Sequence, residues 1–149
     1  MKTHFLGQGY NASTDKAVGT LLTQYLTEKH FNKFTCMSAF ASEAALLGLA
    51  SSIQVAKNNF EELSIIVGVD QNGTSKKALL ALCELEANSF VFYQKEAPIF
   101  HPKIYLFEGK ENRLIIGSSN LTAQGLFGNI ESSLLVEFSD NDEEGLALL

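Results

Sequence analysis

Between Val18 and Leu26 the apolar residues Val18, Leu21, Leu22, Tyr25 and Leu26 recur at intervals of three and four. That is the spacing of one helix face, so Asp15 to Lys29 is expected to be helical, with Asp15 capping its start. "KFTCMSAFAS" (33–42) is rich in β-forming and small residues and reads as a buried strand. Ser42 then opens an incomplete capping box, with Ala45 where Glu is usual, before a helix from Glu43 to Asn58. "LSIIVGV" (63–69) is an unbroken apolar run, the pattern of a strand covered by helices on both faces. "DQNGTS" (70–75) is turn chemistry, residues 76–88 form a short amphipathic helix, and "SFVFYQK" (89–95) is another strand. Three more strand-like segments follow, "IFHPKIYLFEG", "NRLIIGSSN" and "ESSLLVEFS", joined by short polar links. Residues 1–14 form an extended lead-in or edge strand. Strands alternating with helices, followed by a run of strands, predict an α/β fold with a mixed sheet flanked by helices.

Composition narrows the picture. With 149 residues the chain fits one domain, 1–149. The closing apolar residues Leu146, Leu148 and Leu149 have little to pack against, which suggests a domain taken from a longer protein. The net charge of −6 argues against a broad electrostatic grip on nucleic acid, though it leaves room for a local basic groove. Cys36 and Cys83 both sit among apolar neighbours and read as reduced core thiols. Neither has metal-ligand spacing, and no cofactor or metal is expected. No apolar run reaches membrane-spanning length and no signal peptide is visible, so a cytoplasmic location is expected.

The chemistry gathers in "FHPKIYLFEGKENRLIIGSSNLTAQGLFGNIESS" (100–133). His101 and Lys103 are two apart, so on an extended chain both project from one face. A neighbouring ammonium favours the neutral, nucleophilic form of an imidazole, and both groups can contact one phosphate. Ser118 and Asn120 repeat the two-residue spacing after Gly117 and can bind the non-bridging oxygens of a phosphodiester. Glu131 could accept the other ring N–H of a histidine and orient it. Each feature alone is ordinary surface decoration; their order and spacing together are not.

The segment resembles the signature of the phospholipase D superfamily: His101-Pro-Lys103, four residues, an acid (Glu108, where the family usually has Asp), then Gly117-Ser118-Ser119-Asn120. The stretch "GSSNLTAQGLFGNIE", with Glu131 eleven residues after Asn120, resembles the branch of metal-independent nucleases and certain restriction enzymes. The resemblance implies that His101 attacks phosphorus and becomes a phosphohistidine. Lys103, Ser118 and Asn120 would hold the phosphate, and Glu131 would hold His101. It also implies two His-x-Lys motifs per site. This chain has one, because neither His4 nor His30 has a lysine two residues on. A homodimer with one composite centre is therefore expected, acting on nucleic acid, most readily DNA, with a fused or partner helicase or specificity domain as a further expectation. The alternatives are a non-catalytic nucleic-acid-binding or dimerisation module and, less readily, a phospholipid phosphodiesterase. The latter would call for an interfacial patch that the sequence does not display.

Overall fold

The computed structural model describes residues 1–148; Leu149 lies outside the described residues. Seven strands form one mixed sheet: β1 (Lys2–Gln8), β2 (Phe31–Ser38), β3 (Glu62–Gly68), β4 (Asn88–Phe92), β5 (Lys103–Gly109), β6 (Asn112–Gly117) and β7 (Glu131–Phe138). Their order is β1-β7-β6-β5-β2-β3-β4. The β2, β3 and β4 strands run parallel, whereas β5, β6, β7 and β1 each pair antiparallel with the preceding neighbour in space. The helices are α1 (Val18–Tyr25), α2 (Glu43–Asn59), α3 (Lys76–Glu84) and a short α4 (Glu143–Leu146).

Register decides the core. Across the sheet Leu135, Ile115, Tyr105, Cys36 and Ile65 lie in one row, and α1, α2 and α3 pack on that face. Beneath α1, Phe31, Phe34, Phe107 and Tyr25 form an aromatic cluster, with the Arg113 guanidinium 4.6 Å from the Tyr25 ring centroid. The opposite face departs from the expectation of helices on both sides. It carries Leu134, Ile116, Ile104, Met37 and Ile66 in one row, and α4 touches it only at its end, where Gly145 meets the Phe138 ring. That expectation rests on the apolar run of β3 alone; on β6 and β7, Ile116 and Leu134 are exposed. No described helix is long and apolar enough to cross a membrane.

Local chemistry explains the boundaries. Ser42 accepts from Ala45 N at 3.2 Å and starts α2 as expected. Asp15 does not cap α1; its carboxylate takes the amides of Tyr10 (2.6 Å) and Asn11 (2.8 Å), so the helix begins three residues later, at Val18. The third helix ends at Glu84 rather than 88 because Glu86 turns left-handed, at φ +52°. Cys36 is buried, as expected, and burial pushes its thiol well up from its ordinary range. Cys83 is exposed on α3, whose inward positions are Ala78, Ala81 and Leu82.

Candidate active site

Strand directions bring the C-terminal ends of β1, β2, β3, β4 and β6 together with the N-terminal starts of β5 and β7. Every residue singled out in the sequence for phosphate chemistry lies at that end. His101 and Pro102 precede β5, Lys103 opens it, Ser118 and Asn120 follow β6, and Glu131 opens β7.

Lys103 enters the sheet on the helix-covered face, in line with Tyr105 and Phe107, and is buried. Its ammonium, still partly buried, lies beside the histidine. Nζ lies 2.8 Å from His101 Nδ1 and 3.2 Å from Nε2, and it donates to the His101 carbonyl at 3.1 Å. Burial lowers the Lys103 pKa from its ordinary value, and the nearby Glu131 carboxylate opposes the shift. His101 itself is exposed, with the edge of its ring against Phe40 at 6.0 Å between centroids.

Backbone bonds brace the histidine on both sides. Asp70 Oδ2 accepts from Phe100 N at 3.2 Å, and Ala39 N donates to Pro102 O at 2.8 Å. Phe100 also stacks on Phe92 at 4.6 Å.

Ser118 donates to Glu131 Oε2 and accepts from Ser132 N at 3.0 Å. Glu131 takes a second bond from Asn129 Nδ2 at 3.1 Å. The carboxylate thus orients the serine hydroxyl rather than His101, which finds its partner in Lys103. Asn120 is half-buried, and its Oδ1 has no hydrogen-bond partner among the described residues. Gly117 is required where β6 and β7 converge: a Cβ there would lie 2.4 Å from Ser132 O and 2.5 Å from Ser133 Cα.

Four further residues shape the site. Ser38 accepts from Leu121 N at 2.8 Å and donates to Phe40 O at 2.8 Å, and Ser42 accepts from Ala123 N at 3.1 Å. These two serines tie the loop after β6 to the loop after β2. Tyr105 reaches Ser119 O at 2.8 Å from below, and Asp70 acts through Phe100. Ser42 was legible only as a helix cap. The other three carried no signal at all, because their partners lie 14 to 83 residues away. Glu108 lies at the far end of β5 from the site and pairs with Lys33 at 3.4 Å.

An α/β sheet that gathers an imidazole, a buried ammonium, a hydroxyl and an amide at one end is the layout of the phospholipase D superfamily. The family model described as cardiolipin synthase, PLD-like domain matches residues 23–143, and the chain belongs to that family. Among solved structures it is similar to Nuc from Salmonella typhimurium, a phospholipase D family member (14% identity, 99% of this chain and 90% of that one, TM-score 0.63). It is likewise similar to NucT from Helicobacter pylori (16% identity, 99% and 91%, TM-score 0.64). A third likeness is to the yeast tyrosyl-DNA phosphodiesterase (12% identity, 93% and 32%, TM-score 0.59). At these identities the likeness is one of fold. No curated protein sequence matches the chain.

Proposed function

We propose that the protein is a phosphodiesterase that cleaves nucleic acid, DNA most readily, through a phosphohistidine on His101, in a centre completed by a second copy of the chain. The observation that carries this reading is the bond between Lys103 Nζ and the His101 ring, within a cluster that also holds Ser118, Asn120 and Glu131.

In the resting site the Lys103 ammonium lies against the imidazole nitrogens. A phosphate oxygen entering the pocket competes for that ammonium and frees the ring lone pair for attack. His101 forms the P–N bond as the P–O bond to the leaving group breaks. Lys103, Ser118 and Asn120 take the charge on the equatorial oxygens. The leaving oxygen needs a proton, and His101 of the partner subunit supplies it. Water then attacks phosphorus, gives its proton to that second imidazole, and breaks the P–N bond, returning both histidines to their starting state. No metal takes part in this scheme.

A second reading has support of its own. The matching family model carries a cardiolipin synthase description, and the sheet face beside the site leaves Phe5, Ile116 and Leu134 exposed. Phosphatidyl transfer at a lipid surface would use the same His101 chemistry with a lipid alcohol in place of water.

The test is turnover in excess EDTA of single-stranded DNA, duplex DNA and phosphatidylglycerol vesicles, wild type beside His101→Ala. DNA cleavage by the wild type alone is the expected result. Lipid turnover without DNA cleavage would transfer the assignment to the second reading.

A further inference from the structure

The turn between β3 and α3 faces the loop between β4 and β5 across an open groove of about 350 Å³. One wall is Gln71 and Asn72, both exposed and both held in left-handed backbone, at φ +54° and +56°. Non-glycine residues rarely adopt that region, and here the surrounding turn sustains it. Gly73 N bonds Asp70 O at 3.1 Å, and the Thr74 hydroxyl bridges Gly68 O (2.7 Å) and Ala41 N (3.0 Å). The other wall is Tyr93, Gln94, Lys95 and Glu96. Tyr93 is 69% exposed, so its ring is free to stack.

The groove is tied to the segment that carries His101. Asp70, at its inner end, holds the amide of Phe100, the residue before His101. Phe40, whose ring meets His101, lies over Gly73: a Cβ there would stand 1.9 Å from the Phe40 ring.

We propose that this groove receives a nucleobase and its adjoining phosphate from a single-stranded nucleic acid whose scissile phosphate lies at His101. The proposal rests on the phosphodiesterase reading and names the substrate class of that same site. Three side-chain amides or carboxamides and a carboxylate, Gln71, Asn72, Gln94 and Glu96, offer the donors and acceptors that a base edge requires. Tyr93 supplies a stacking face, and Lys95, the one cation in the lining, supplies a phosphate contact. A lipid acyl chain would need a continuous apolar wall, whereas here Val69, Ala97 and Ile99 are interspersed with six polar side chains. A duplex keeps its base edges paired and its faces stacked, so the base received is unpaired.

The experiment measures binding by fluorescence anisotropy at fixed salt. The probes are a labelled single-stranded DNA, the RNA of the same sequence, and an abasic sugar–phosphate chain of equal length. Wild type is compared with Tyr93→Ala, Asn72→Gly and Lys95→Ala, surface substitutions expected to leave the fold unchanged, glycine at 72 keeping the left-handed backbone. The base-bearing chains should bind more tightly than the abasic one, and Tyr93→Ala should weaken them by about 5- to 150-fold while leaving abasic binding unaltered. Asn72→Gly should weaken the base-bearing chains and leave abasic binding unaltered. Lys95→Ala should weaken all chains alike and reduce the salt slope by about one. A larger loss on DNA or on RNA identifies the natural sugar. Equal binding of base-bearing and abasic chains, or a Tyr93→Ala effect equal on both, overturns the groove and leaves the phosphate site standing. No binding of any chain overturns the groove and the nucleic-acid reading together.

Discussion

Lys103 and His101 are hydrogen-bonded to one another, Nζ to Nδ1 at 2.8 Å, and the lysine that does this is otherwise buried in the sheet. The cation is therefore held beside the His101 ring by its stem, with little freedom to leave. Burial disfavours its charge while Glu131 restores part of it. Replacing Lys103 by Met keeps the buried stem and removes the cation. Turnover should fall about 10²–10³-fold, as for the loss of one charge-stabilising donor. Thermal stability should hold or rise, because an unfavourable buried charge is gone. A matching loss of stability would mean that Lys103 serves packing alone.

The depressed Lys103 pKa gives the pH dependence a definite sign. The folded value lies below the free-lysine value, so raising the pH deprotonates this lysine in the folded protein first. Activity that depends on the cation should therefore fall on the alkaline side below an ordinary lysine pKa. The penalty on folded stability from the buried charge is present at neutral pH and is relieved as the pH rises through the folded value. A pH–rate profile for kcat/KM, with unfolding midpoints at the same pH values, checks both. Lys103→Arg should push the alkaline limit upward.

Glu131 is coupled to the same limb. Its carboxylate raises the Lys103 pKa, and it also accepts the Ser118 hydroxyl. Glu131→Gln keeps the shape and removes the charge, so the alkaline limb should shift to lower pH. The Ser118 hydroxyl loses a charged acceptor, and kcat should drop by roughly 10-fold or more. A variant with an unchanged alkaline limb would separate Glu131 from Lys103.

The contact between His101 and Lys103 was legible because the two sit two residues apart, so local geometry alone brings their side chains together. The β-α-β-α-β rhythm was legible for the same reason, since apolar periodicity is a local property. What escaped was set by distant partners. Glu131 was expected on His101, yet Ser118 and Asn129 lie closer to it and take both its oxygens. Asp15 looked like a helix cap, but the turn after β1 presents it with two free amides first. The open sheet face was invisible, because apolar residues such as Ile116 and Leu134 give β6 and β7 the same pattern whether or not anything covers them.

Asp70 tests how far the support of His101 extends. It is 9% exposed, touches no reacting atom in the proposed scheme, and acts only by holding the Phe100 amide. Asp70→Ala removes the acceptor and frees the backbone just before His101. A histidine displaced by a fraction of an ångström loses its line of attack, so kcat should fall about 10- to 100-fold with KM little changed. Asp70→Asn retains an acceptor oxygen in the same place and should recover most of the rate. A purely structural role would move unfolding midpoints and rate together in both variants. A positioning role separates them, with rescue in kcat by asparagine at equal stability.

The proposed composite centre makes the last prediction, and it needs no structural change at all. If each site draws its attacking and its protonating imidazole from different copies, a His101→Ala subunit disables every dimer it enters. Mixing equal amounts of wild type and His101→Ala, with time for exchange, should leave about half the activity of the wild type present, because half of its subunits then sit in mixed dimers. Independent monomeric sites would show no loss on mixing. Sedimentation velocity on the same samples separates the remaining case, dimers that form without sharing a site, in which the sedimentation coefficient is dimeric and the activity is undiminished.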